Sequence, residues 1–69
     1  MQHTPVESSH ILSYAYDPLT QTMELKFKNG STYQYRGVSQ EHYQGFVDSE
    51  SKGDFHHQNI KNAYEAHKK

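Results

Sequence analysis

Thr22-Met23-Glu24-Leu25-Lys26-Phe27-Lys28-Asn29-Gly30-Ser31-Thr32-Tyr33-Gln34-Tyr35-Arg36 is the stretch that decides the fold. From Thr22 to Lys28 it alternates polar and apolar without a break, the period of a strand with one buried face. Asn29-Gly30 is a strong hairpin signal, and the β-forming series Ser31 to Arg36 follows it. Two registers compete. A two-residue Asn29-Gly30 turn sets Leu25 opposite Gln34 and wastes the core face. A three-residue Lys28-Asn29-Gly30 loop, with Gly30 left-handed, sets Phe27 opposite Ser31, Leu25 opposite Tyr33 and Met23 opposite Tyr35. The second register keeps apolar side chains together and is the one expected. It leaves Thr32, Gln34 and Arg36 beside Lys26 and Lys28 on the solvent side.

Upstream, Ser9 to Tyr16 is rich in β-formers and predicts another strand, whose buried stripe is either Leu12, Tyr14 and Tyr16 or Ile11, Ser13 and Ala15. Asp17-Pro18 ends it in a turn, since Pro fixes φ and Asp can accept a nearby backbone amide. Residues 1–7 have little periodicity and contain Pro5, which predicts a flexible N-terminus. Downstream, Ser39 suits the N-cap of a helix from about Gln40 to Asp48, with Tyr43, Phe46 and Val47 at helical spacing. Gly45 inside that helix costs about 1 kcal/mol relative to Ala. Ser49 to Gly53 reads as a polar linker and Asp54 as the cap of a second helix. Its stripe would be Phe55, Ile60, Ala63, Tyr64 and His67, running to a frayed Lys68-Lys69 end. The expected class is α+β: a three-stranded antiparallel β-meander followed by two short helices packed on one face (β-β-β-α-α), with residues 8–69 forming one domain.

Ser8-Ser9-His10-Ile11, Leu25-Lys26-Phe27 with Gly30, Tyr33-Gln34-Tyr35, and Ser51-Lys52-Gly53-Asp54-Phe55 with Ile60 together resemble the KTSC domain. That family is named for a segment at the C-terminus of some lysyl-tRNA synthetases and also occurs as free-standing small bacterial proteins. The resemblance runs from Ser8 to Tyr64, with Tyr-x-Tyr after a Gly turn and Ser-x-Gly-x-Phe downstream as its most specific combination. Val38-Ser39 stands where the family often has Pro, which affects only the cap. Attachment to a tRNA-charging enzyme implies RNA binding by association, and association does not define a site.

Composition bounds the function. A chain of 69 residues holds about one small domain, and without cysteine it has no disulfide staple, thiolate nucleophile or Cys-type zinc site. There is no apolar run long enough to span a membrane and no signal-peptide pattern near the start, so a cytoplasmic protein without a membrane partner is expected. The net charge of −1 argues against strong sequence-independent attraction to phosphate, although local polarity is marked. Lys26, Lys28 and Arg36 outweigh Glu24, and Lys61, Lys68 and Lys69 outweigh Glu65. Between these segments Glu41, Asp48, Glu50 and Asp54 face only Lys52. Six tyrosines with few aliphatic residues must supply part of the core.

Each candidate site has a plain structural counterpart. Tyr33 and Tyr35 could stack on unpaired bases, but the expected register makes them core residues. The outer hairpin face, with Lys26, Lys28, Thr32, Gln34 and Arg36, could follow a phosphate backbone or simply discourage edge pairing. Ser51-Lys52-Gly53-Asp54 lacks the length and spacing of a phosphate-binding loop and reads as a turn and cap. His56 and His57 are adjacent, diverge by about 100° on a helix and are poorly placed to share one ion. No nucleophile elbow, paired-carboxylate pattern or oxyanion loop accompanies Ser9, Ser39 or Ser51. The expectation is a non-catalytic binding module without cofactor or metal. Its partner would be RNA or single-stranded nucleic acid, held by Lys26, Lys28, Thr32, Gln34, Arg36, Lys52 and Lys61. The alternative is a protein-interaction or self-associating module using Tyr14, Tyr43 and Tyr64, present as a monomer or weak dimer.

Overall fold

In the computed structural model, which describes residues 2–69, Gly30 adopts φ +93°, a conformation that any side chain would resist. That turn lets Phe27 N donate to Ser31 O at 2.8 Å and Gly30 N donate to Phe27 O at 3.0 Å, while Asn29 Oδ1 accepts from Ser31 N at 2.9 Å. The three-residue loop fixes the register as expected: Leu25 stands opposite Tyr33 and Met23 opposite Tyr35. The hairpin lies inside a larger sheet of five antiparallel strands among the described residues. In sheet and sequence order these are β1 (Thr4–Pro5), β2 (Ile11–Asp17), β3 (Thr22–Phe27), β4 (Thr32–Tyr35) and β5 (Ala66–Lys68).

Two of these strands correct the three-strand expectation. Thr4–Pro5 pairs with Tyr14 and Ser13, and Val6 N donates to Leu12 O at 3.2 Å. Proline is tolerated there because β1 is an edge strand and need not offer every amide to the ladder. At the other edge, Ala66, His67 and Lys68 pair with Tyr35, Gln34 and Tyr33, and Lys69 N donates to Thr32 O at 2.8 Å. The second helix therefore stops well short of the expected Lys68-Lys69 end, because the unpaired edge of β4 offers backbone partners that a frayed helix end lacks.

The choice between two buried stripes in β2 has neither expected answer. A bulge between Ile11 and Ser13 shifts the pairing, so that Ile11 meets Phe27 and Ser13 meets Lys26. Ile11 and Tyr14 both face inward as a result, while Leu12 is turned out and 44% exposed. The turn after β2 follows the sequence reading, with Asp17 Oδ1 accepting from Leu19 N at 3.0 Å.

One face of the sheet is covered by helices. Ser39 caps α1 (Gln40–Asp48), its Oγ accepting from His42 N at 3.2 Å, and Phe46 is fully buried. The second helix, α2 (Lys52–Phe55), is capped by Ser51 rather than Asp54: Ser51 Oγ accepts from Asp54 N at 3.4 Å. Gly53 therefore lies inside the helix and not in the expected linker. Residues His56–Ile60 continue as a π-turn, in which Lys61 N donates to His56 O at 2.8 Å. Closing each turn over five residues brings Phe55 and Ile60 toward the same side, a pairing an α-helix would splay apart. Ile11, Met23, Leu25, Val38, Phe46 and Ile60 are the fully buried centre of the core, and Tyr14 and Tyr35 close it at the margin.

Candidate functional site

Beside the β3–β4 loop, the inner face of the sheet and the α2–π-turn segment do not close completely. They leave a cleft of about 420 Å³. Its floor is apolar, made by buried Ile11 and Tyr35. Three rings form the walls: Phe27 meets Tyr33 edge to face at 5.7 Å between centroids, and meets His56 at 5.3 Å. The exposed side chains His10, Asn29, His57 and Lys61 stand around the rim. Every ionisable side chain lining the cleft is a histidine, a lysine or a tyrosine, and no carboxylate is among them.

The interior is held in one arrangement. A hydrogen bond of 2.7 Å joins Tyr35 Oη and His56 Nε2, and the two rings also meet at 5.6 Å. Burial, aided by the charges of Lys61 and His57, pushes the His56 imidazole down to about 4. It is therefore neutral at pH 7. Burial, with a smaller contribution from Tyr33, pushes the Tyr35 hydroxyl up, so this pair stays uncharged across the physiological range. The N-terminal side of the cleft is set by Ser8, whose Oγ accepts from His10 N and Ile11 N at 3.3 Å and brings His10 beside Gly53. A Cβ on Gly53 would lie 3.6 Å from Ser8 Oγ and 3.8 Å from His10 Cδ2.

The outer face of the hairpin is less basic than the sequence suggests. Lys26, Thr32 and Gln34 do project there, but Glu24 lies among them and is 4% exposed. Its carboxylate accepts from Gln34 Nε2 at 3.0 Å and from Lys69 Nζ at 2.9 Å, and it is in contact with His3 Nε2. His3 Nδ1 in turn lies 2.8 Å from Ser13 Oγ. Burial works to raise the Glu24 pKa, but the hydrogen bonds from His3, Lys69 and Gln34 together with the Lys69 charge bring it down to about 2. Gln34 and Lys69 are thus engaged within the molecule.

The other members of the expected set are spread out. Lys28 is exposed in the hairpin loop and Arg36 is exposed beyond the far end of β4. Lys52 belongs to the helical layer, where its Nζ donates to Ser49 O at 3.4 Å, and Lys61 stands on the cleft rim. Tyr35 is a core residue as expected, whereas Tyr33 is only half-buried and forms part of the cleft wall. Sequence reasoning passed over His10, Phe27, Asn29 and His56 as site residues. Phe27 could have been found from its place at the end of the alternating strand, but His56 depends on a π-turn that has no periodic signature. Among the described residues no group of three or more His, Asp or Glu side chains is arranged to hold a metal ion, and no helix is long and apolar enough to cross a membrane.

Residues 7–64 match the family model of the KTSC domain. The chain is 42% identical to a KTSC domain protein from Yersinia pestis whose crystal structure superposes with a TM-score of 0.92, covering 99% of this chain and 96% of that one. A protein of Tsukamurella paurometabola is 43% identical over 51 residues, which is 74% of this chain and 76% of that protein. A lysine–tRNA ligase of Nostoc is 38% identical over 58 residues, 84% of this chain, and the chain spans only 10% of that enzyme's length. The matched span holds the Gly30 hairpin, both rings of Tyr33-Gln34-Tyr35 and the α2–π-turn segment that encloses the cleft, and the chain belongs to the KTSC domain family.

Proposed function

We propose that this domain is a non-catalytic binding module for RNA or another single-stranded nucleic acid, and that it meets its ligand at the hairpin end. The observation that carries the reading is the meeting of basic side chains from two separate segments, His10 before β2 and the His57 and Lys61 of the π-turn segment, around the rings of Phe27 and Tyr33, with Lys28 exposed in the adjoining hairpin loop. Single-strand binders combine these two elements, cations that follow the phosphates and aromatic faces on which bases stack. Lys26 on the outer face and Arg36 beyond the far end of β4 add exposed basic side chains outside the cleft, while Glu24 is paired inside the sheet's own network. The relation to a lysine–tRNA ligase adds a chemical context, since that enzyme by its name acts on a tRNA.

Fluorescence anisotropy with a labelled single-stranded RNA of about ten nucleotides tests the reading. Binding should weaken steadily as salt rises from roughly 20 to 200 mM, because each neutralised phosphate releases counterion. Lys28→Glu should weaken it about 5- to 10-fold by reversing one phosphate contact. Absence of binding at the lowest salt would reject the reading.

A further inference from the structure

We infer that the cleft is a site for one nucleobase bearing a phosphate, with the base among Phe27, Tyr33 and His56 and the phosphate at Lys61 on the rim. This rests on the nucleic-acid reading above and gives it a specific subsite. The inside and the rim of the cleft differ in a way that selects the ligand. Inside are an apolar floor, the Phe27 ring 5.7 Å from Tyr33 and 5.3 Å from His56, and the uncharged Tyr35–His56 pair joined at 2.7 Å. A buried anion would find no charge partner there, whereas a neutral planar ring would find faces and edges of matching quadrupole.

At the rim the situation reverses. Lys61 presents its ammonium group there, and Asn29, whose Oδ1 is already taken by Ser31 N, has its amide hydrogens left to donate. A ligand that is neutral and aromatic at one end and anionic at the other satisfies both regions, and a nucleotide is such a molecule. The volume of about 420 Å³ lies in the range of pockets that enclose small ligands, roughly 300–1,000 Å³. The π-turn is what makes the arrangement: it turns His56 inward to Tyr35 while Lys61, five residues on, stays at the edge.

The same chemistry could be presented by a free nucleotide or by an unpaired residue within a strand. Backbone amide shifts of the full chain, followed while AMP, UMP, inorganic phosphate or a single-stranded ten-nucleotide RNA is added at low salt, separate these sources. Saturable shifts at Phe27, Asn29, Tyr33, His56 and Lys61 are expected with nucleotide or RNA and not with phosphate alone. A mononucleotide that binds as tightly as the strand identifies a free ligand, and a strand that binds much more tightly identifies RNA. Tyr33→Leu should weaken binding roughly 5- to 100-fold, the effect of losing one stacked base. Lys61→Ala, at an exposed position that does not threaten the fold, should weaken nucleotide binding and leave binding of the uncharged nucleoside unchanged. Cleft amides that stay still with every probe overturn the site. If RNA then shifts only Lys26, Lys28 and Arg36, the nucleic-acid reading survives without it; if RNA shifts nothing, both fail.

Discussion

Gly45 looks out of place in the middle of α1, where it gives up about 1 kcal/mol of helix propensity relative to Ala. The packing supplies the reason: a Cβ at this position would come within 3.0 Å of Phe55 Cζ and 3.3 Å of Phe55 Cε2. The missing side chain is the notch into which the Phe55 ring fits as α2 crosses α1, and Phe55 in turn meets Phe46 edge to face at 6.2 Å. Gly45→Ala should therefore change stability by less than about 1 kcal/mol, propensity gained being offset by displacement of the ring, while the bulkier Gly45→Val should destabilise by about 1–3 kcal/mol. Urea unfolding of the two variants checks the pair; a full gain for Ala would mean the notch is not needed. Glu24 shows a different residue-scale effect, a carboxylate 4% exposed that keeps its charge because His3, Lys69 and Gln34 surround it. Glu24→Gln should cost about 2 kcal/mol at pH 7, the worth of charge-assisted hydrogen bonds, measured by the same method.

Ile60 is the anchor of the π-turn and is fully buried. Ile60→Ala should destabilise by about 3 kcal/mol, as large-to-small core changes do, and should also loosen the Tyr35–His56 hydrogen bond, visible as faster amide exchange across His56 to Lys61. How far the elements could be read from sequence depends on whether local signals were in control. Asn29-Gly30 and the alternation from Thr22 to Lys28 gave the hairpin and its register because turn geometry and hydrophobic pattern agreed. Ser39 with Tyr43 and Phe46 gave α1 with its cap. The bulge at Leu12 was hidden because it breaks the period of two on which strand reading relies. The strand at Ala66–Lys68 was hidden because His67 has helical spacing with Ile60 and Tyr64, and only the free edge of β4 draws this segment into the sheet. The expected site was limited in the same way. Lys28 and Lys61 were visible as charges, but the sequence did not show that Glu24 sits within the outer face or that His56 folds inward.

At the scale of the whole molecule, two buried titrations should shape stability against pH. The His56 imidazole, at about 4 rather than its ordinary 6.5, resists a proton that the unfolded chain accepts, so the stability it contributes is complete above pH 6.5 and lost as pH falls toward 4. Glu24, at about 2 rather than 4.5, contributes stability that is complete above pH 4.5 and lost as pH falls toward 2. Denaturation midpoints at pH 7, 5.5, 4 and 3 should thus fall in two stages. His56→Gln should flatten the first stage and Glu24→Gln the second; an unchanged first stage in His56→Gln would show that another group controls it. The Glu24 network has one more implication. His3, just before edge strand β1, and Lys69, just after edge strand β5, grasp opposite oxygens of a single carboxylate on the central strand, so one side chain ties both rims of the sheet to its middle. Loss of that shared clasp should therefore unfasten both rims together, with the amides of Val6 and Lys69 exchanging faster in step.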